Sequence, residues 1–291
     1  MGDSKNSKQG AHQARDPESR SSVPPIEDWS RLLDGRVAVV TGGGAGIGAA
    51  IARLFAQHGA KVEIAEIVAE SGGTIADEIR AAGGACRAHA IDVTTASDVE
   101  RLRAEVLGEH GGIDILVNNV GDYRPLVRFG QSDPDSWRAM YDINLGHVFA
   151  VTRAFLAPMI EGGGGSIVNV HSVEGMRGFP GDPVYAAMKA GVAQFTRSLA
   201  VGEGRHGIRS NVVAPGSVHT AAWDERKARQ PEIFGRVTGL YPLGRLVRPE
   251  EVANAAVFLA SSLSSGVTGT VLPVDAGLTA GNLPFIDIIS G

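Results

Sequence analysis

A single cysteine, Cys86, stands among 291 residues, which excludes an internal disulfide and any multi-cysteine metal site. It reads as a small buried apolar side chain. The eight histidines lack any ligand spacing of the His-Glu-x-x-His kind, so no metal is expected. Basic charge is in deficit: 27 Lys and Arg against 32 Asp and Glu give a net charge of −5. That leaves no cationic footprint for nucleic acid. No stretch approaches the ~18 consecutive apolar residues needed to cross a bilayer, so no membrane partner is expected. The N-terminus also lacks the apolar centre of a signal peptide, and a cytoplasmic location follows by default. Residues 1–30 are polar and bury too little to offset the entropy of ordering, so they read as a disordered tail. The whole chain is 43% hydrophobic, ample for one α/β domain over 31–291.

Against these absences stands a small set of polar residues. Tyr185 and Lys189 are spaced i, i+4, which places a phenol and an ammonium on one face of a helix. Ser172 lies upstream, after an apolar run. A free tyrosine titrates near pH ~10 and is a poor acid–base group at neutrality. A fixed cation beside it favours phenolate; a shift of about three units requires roughly 4 kcal/mol. The serine hydroxyl would hydrogen-bond the oxygen on which a proton is exchanged. The chemistry read from this trio is proton transfer at a carbinol oxygen. By itself a Tyr-x-x-x-Lys spacing arises readily by chance on amphipathic helices, so the reading depends on what precedes it.

What precedes it is a dinucleotide-binding context. Arg36–Val40 is a β-branched run of the buried parallel-strand kind. It passes into a turn containing Gly42, Gly44, Gly46, Ile47 and Gly48, and then into Ala49–Ala56, where Ile51, Leu54 and Phe55 share a helical face. Strand, glycine turn and helix N-terminus together suit a pyrophosphate. Lys61–Ala65 reads as the second strand, with Glu66 at its end, about ~20 residues past the turn, where an acid accepts ribose hydroxyls. A 2′-phosphate would meet Glu66 with no cation in the glycine turn. At ~4 Å and an effective dielectric of ~20 that costs about 4 kcal/mol, so NAD is expected over NADP. The alternative is that Glu66 only begins the next helix.

Together these residues resemble the short-chain dehydrogenase/reductase family, over nearly everything from about Leu33 to Gly281. Thr41-Gly42-x-x-x-Gly46-Ile47-Gly48 is similar to the family's cofactor turn. Asp92-Val93 matches its adenine-contacting pair. Asn118-Asn119-Val120-Gly121 resembles its Asn-Asn-Ala-Gly, with valine in place of alanine. Asn144, Ser172, Tyr185 and Lys189 fall on its four catalytic positions. Pro215, Gly216, Val218 and Thr220 fall in the segment that meets the nicotinamide carboxamide. The resemblance implies Tyr185 as general acid–base and Ser172 as the group orienting the substrate oxygen. It implies that Lys189 lowers the Tyr185 pKa and binds the nicotinamide ribose, while Asn144 holds a relay water.

Helix and strand signals alternate through the remainder: helices at 68–82, 96–110, 185–203 and 250–260, strands at 113–118, 166–171, 208–214 and 270–274. Such alternation predicts a single-domain Rossmann-type doubly wound parallel sheet with helices on both faces. Ligands then bind at the strands' C-terminal ends, where Glu66, Asp92, Asn118, Ser172 and Pro215 should converge.

Substrate choice is expected from 173–184 and from a mobile lid at 221–240, with Trp223 and Phe234 either shaping the pocket or packing as core. His171 is expected to be a structural hydrogen-bonder, and Asp122-Tyr123-Arg124 a solvated loop. The apolar tail 283–291 suggests contact with a neighbouring subunit, and the resemblance favours a homotetramer. The expected function is NAD-dependent interconversion of a secondary alcohol and a ketone. The alternatives are a dinucleotide-binding regulatory protein and a non-redox epimerase or dehydratase of the same fold.

Overall fold

The strands at the centre of the sheet are buried on both faces, as their lack of polar alternation requires, while the edge strands Ala85–Ala90 and Val271–Val274 are partly exposed. In β1 (Val37–Thr41), Ala38 and Val40 enter one core while Val37 and Val39 enter the other. The computed structural model describes residues 28–123, 126–283 and 289. Most of the N-terminal tail, Arg124 and most of 283–291 therefore lie outside the described residues.

Among the described residues seven strands form one all-parallel sheet. After β1 come β2 (Lys61–Glu66), β3 (Ala85–Ala90), β4 (Ile115–Asn118), β5 (Gly165–Val170), β6 (Ile208–Pro215) and β7 (Val271–Val274). Their spatial order is β3-β2-β1-β4-β5-β6-β7. The order reverses between β1 and β4, opening a crevice at the C-terminal ends of those two strands. The predicted doubly wound fold is the observed one.

Helices α1 (Gly46–Gln57) and α2 (Ala69–Ala81) cover one face, joined there by a helix at Pro249–Ala260. Ile51, Phe55, Ile75, Ile79 and Val252 fill this layer. On the other face α3 (Ala96–His110) contributes Val99, Leu102 and Val106. Beside it runs one long helical stretch, Pro134–Glu161, made of α4 (Pro134–Tyr141), a π-turn (Asp142–Gly146) and α5 (His147–Glu161). By length and composition alone this stretch could cross a membrane. Here it is a layer of the fold, with Val151, Phe155 and Met159 in the core. Next to it lies α6 (Pro183–Glu203). Two short helices, α7 (Ala221–Arg229) and α8 (Pro231–Thr238), precede the Pro249–Ala260 helix, α9.

Cys86 is buried, and burial pushes its thiol up to about 12, so it behaves as the apolar filler expected.

Candidate active site

The glycine turn leaves β1 at the crevice. Gly42 and Gly46 adopt φ of 64° and 53°, which only glycine holds without strain. A Cβ on Gly48 would collide with the Gly42 carbonyl, and one on Gly44 would lie 2.7 Å from Glu66 Cγ. Above Gly46 the space is open as far as Thr220 Cγ2, 3.8 Å from where a Cβ would sit. Helix α1 begins at Gly46 with Ala45 as its N-cap, so no side chain caps its first N–H groups and no acid stands in its first turn. A cradle that is tight beneath, open above and lined by free N–H groups fits the pyrophosphate of a dinucleotide. Ile47 packs partly buried against the core.

The surrounding residues brace this cradle. Glu66 ends β2 and does not belong to the next helix, which starts at Ala69. Its Oε2 accepts a hydrogen bond from the Gly44 N–H at 3.0 Å, and its Oε1 one from Val68 N–H at 3.1 Å. Asn119 Nδ2 donates to the carbonyls of Thr41 (3.0 Å) and Gly42 (3.2 Å), tying the end of β4 to the turn. Asn118 turns inward instead, donating to Asn169 Oδ1 (2.8 Å) and Thr152 Oγ1 (3.1 Å). Asp92, two residues beyond β3, accepts from Thr94 N–H and Oγ, and Val93 beside it is buried. Across the crevice Pro215 ends β6, Gly216 N–H donates to the Val274 carbonyl, Val218 bridges to Val247, and Thr220 is the N-cap of α7.

Tyr185 and Lys189 sit on α6, whose start is fixed by local chemistry. Asp182 accepts from Tyr185 N–H at 3.1 Å, and Pro183 takes the first helical position. Lys189 is 3% exposed, and its Nζ lies 5.8 Å from the centre of the Tyr185 ring. A Cβ on Gly121 would lie 2.5 Å from that Nζ and 2.9 Å from Asn144 Oδ1, so the lysine, the asparagine and the end of β4 meet at one point. Asn144 lies in the π-turn, a helix irregularity that often marks a site. It exchanges hydrogen bonds with the backbone of Asp122 (3.1 and 2.8 Å) and donates to the Met140 carbonyl. Ser172 follows β5, and its Oγ accepts from Glu174 N–H at 3.2 Å.

The charge balance differs from the sequence expectation. Burial pushes the Tyr185 phenol up to about 12, against an opposing hydrogen bond with Ser172, and Glu174, Asp122 and Asp182 add to the rise. Burial also pushes Lys189 down to about 8. The protein alone therefore keeps the phenol protonated; the lysine does not outweigh desolvation. Two further imidazoles border this point. His147 and His171 are buried, His147 beside the backbone of Val120 and Ile143 and His171 beside that of Lys189 and Ser172. Burial and the Lys189 charge push them down to about 3 and about 4. His171 is thus a neutral imidazole packed under Gly175, beside the backbone of Lys189 and Ser172.

A family profile described as enoyl-(acyl carrier protein) reductase matches residues 42–279. The 3-oxoacyl-(acyl-carrier-protein) reductase FabG of Chlamydia muridarum is 41% identical over 85% of this chain and 98% of its own length. Cis-4-hydroxycyclohexanecarboxylate dehydrogenase of Sinomonas cyclohexanicum is 42% identical over 84% and 97%. The chain belongs to the short-chain dehydrogenase/reductase family. Among solved structures, a 7α-hydroxysteroid dehydrogenase complexed with NADH and 7-oxo glycochenodeoxycholic acid superposes with a TM-score of 0.80 at 33% identity, over 87% of this chain and 98% of that one. An oxidoreductase of the same family from Burkholderia thailandensis gives 0.79 at 35%, over 88% and 97%. As a short-chain dehydrogenase/reductase the protein is an oxidoreductase of CH–OH or keto groups and binds a nicotinamide dinucleotide.

In this short-chain dehydrogenase/reductase the two segments expected to choose substrate meet at one cavity. Met176 and Arg177 wall a space of about 520 Å³ with Leu240, from the end of the 221–240 segment, and with Leu278 and Leu283. The 221–240 segment forms α7 and α8, where Trp223 packs edge-on to Phe234 at 6.1 Å and His219 lies 5.9 Å from Phe234. Those aromatics pack on one another and lie outside the main core clusters. Tyr123 is half exposed in an irregular loop, as expected of a solvated segment, and its ring also stands edge-on to Tyr185 at 6.4 Å. His147 carried no sequence signal, because a lone histidine in an apolar helix looks like any other.

Proposed function

We propose that this enzyme interconverts a secondary alcohol and a ketone with NAD, and that Tyr185 is its general acid–base. The observation that carries the reading is the meeting of Tyr185, Lys189, Ser172 and Asn144 at one buried end of the sheet, beside the glycine cradle. When bound, the nicotinamide supplies hydride acceptance or donation at the substrate carbon. Ser172 orients the substrate oxygen by hydrogen bond. In ketone reduction Tyr185, protonated at neutrality, donates its proton to the carbonyl oxygen; in alcohol oxidation it accepts the hydroxyl proton. Lys189, cationic at neutrality, steadies the phenolate and binds the nicotinamide ribose. Asn144 clamps the Asp122 backbone, and its Oδ1 faces the lysine as the first post of a water relay.

The cofactor contacts proposed are those of Gly42–Gly48, Glu66, Asp92, Val93, Asn119, Gly121 and the 215–220 segment. Preference for NAD is supported by Glu66, whose carboxylate is held against the turn where a 2′-phosphate would have to lie, and by the NADH complex of the steroid dehydrogenase. A homotetramer completes the proposal; Phe149 on α5 and Val201 on α6 are exposed, and sedimentation velocity tests it. The functional test follows NADH absorbance across a panel of secondary alcohols and ketones. Turnover is the expected result. Tight NADH binding with no turnover across the panel would favour a regulatory protein instead.

A further inference from the structure

We propose that Glu174 determines specificity, selecting substrates that carry a second hydroxyl close to the reacting carbon: a diol, hydroxyketone or polyol. The proposal rests on the oxidoreductase reading and deepens it.

Glu174 sits in the short 3-10 turn Val173–Gly175 and is tied to the substrate-orienting serine through its own N–H. Its two carboxylate oxygens have different fates. Oε1 accepts from Arg177 Nη2 at 3.0 Å. Oε2 is buried and has no hydrogen-bond partner among the described residues. A buried carboxylate oxygen left unpaired is costly, and such atoms call for a partner. Met176 and Arg177, which follow this turn directly, form part of the wall of the 520 Å³ cavity, a space of ligand size. The charge of Glu174 is also felt at the Tyr185 phenol, which places the two within electrostatic reach.

The chemistry of the missing partner follows. A carboxylate oxygen paired to a guanidinium is an acceptor. The complementary atom is therefore a donor. An anionic substituent would be repelled by Glu174 while one fork of Arg177 is already occupied. A neutral hydroxyl beside the carbinol satisfies Oε2 and adds no charge. A site built to pair with a hydroxyl discriminates against an analogue that lacks it, because the carboxylate oxygen is then left bare.

The test uses matched rings: cyclohexanol against 1,2-cyclohexanediol, and cyclohexanone against 2-hydroxycyclohexanone, with 3-hydroxycyclohexanecarboxylate as the anionic comparison. The hydroxylated member should be preferred about 10- to 100-fold in kcat/KM, chiefly through KM. Glu174→Leu should abolish the preference, and Glu174→Gln, which keeps an acceptor oxygen, should retain part of it. No preference, or one that survives Glu174→Leu, overturns the proposal. So does a preference for the carboxylate that is lost in Arg177→Ala but not in Glu174→Leu. If no ring is turned over, the oxidoreductase reading fails separately, and calorimetry decides: tighter binding of the diol supports the Glu174 assignment, and equal binding overturns it.

Discussion

The backbone N–H of Gly44 donates to the side chain of Glu66 at 3.0 Å, locking the end of the second strand onto the glycine turn. On the proposed reading this contact joins the two halves of the cofactor site and holds a negative charge where a 2′-phosphate would lie. NADH should accordingly bind about 100-fold more tightly than NADPH, a difference of about 2.7 kcal/mol. In Glu66→Ser the ratio should fall toward one. Fluorescence titration with both reduced cofactors measures it.

A second prediction concerns Gly121. Its missing Cβ leaves room for Lys189 Nζ and Asn144 Oδ1, and the lysine tip is the more mobile of the two. Gly121→Ala should push the ammonium away from the Tyr185 ring with little loss of stability. We expect kcat to fall about 10- to 100-fold with Tm nearly unchanged, consistent with losing one charge-stabilising group. Steady-state kinetics alongside a thermal melt checks both halves.

The direction of catalysis should depend on pH in opposite ways. Tyr185 is raised to about 12, so alcohol oxidation, which needs the phenolate, should accelerate as pH rises from neutrality. Ketone reduction needs the phenol and a cationic Lys189. It should decline as pH rises through about 8, where the lysine loses its proton. Initial rates in both directions between pH 6 and about 10 give the profiles.

A fourth prediction concerns stability, far from the site. Glu63 on β2 is buried and bonded to His89 Nε2 (2.5 Å) and His110 Nε2 (2.6 Å), while His89 Nδ1 reaches Glu105 (2.6 Å). Burial pushes the Glu63 carboxyl up, but the two histidine bonds outweigh it and hold it below 4.5. Burial likewise pushes His89 down, and the Glu63 and Glu105 bonds outweigh it and hold it above 6.5. The Glu63 contribution is present above about pH 4.5 and is lost as pH falls through the depressed value. The His89 contribution is full below about pH 6.5 and is lost as pH rises through the raised value. Stability should therefore peak between the two. His89→Leu should cost about 3 kcal/mol there and flatten the alkaline limb, as denaturant melts across pH would measure.

The sequence conveyed the fold through elements whose hydrophobic pattern is strong. Ala96–His110 has the bounds expected, and β1, β2, β5 and β6 lie within one residue of theirs. It conveyed less where structure depends on tertiary contact. Pro134–Glu161 carries a π-turn at Asn144 that no local propensity announces, and α7 and α8 are short and charged outside. The candidate site was legible because glycines, Asn144, Ser172, Tyr185 and Lys189 keep fixed spacings. The electrostatics were not: the i, i+4 pair suggested a lowered phenol pKa, whereas burial, invisible in one dimension, raises it. The Tyr123 contact with Tyr185 was illegible for a related reason, since it spans more than sixty residues of chain.

The central claim is that the Tyr185 hydroxyl moves the proton. Its most direct test is Tyr185→Phe, assayed by NADH absorbance on the best alcohol and ketone of the panel, with NADH binding followed by fluorescence. The account predicts turnover reduced by about 100-fold or more, the scale of a lost general acid–base, with cofactor affinity nearly unchanged. Turnover at the wild-type rate in that variant would contradict it.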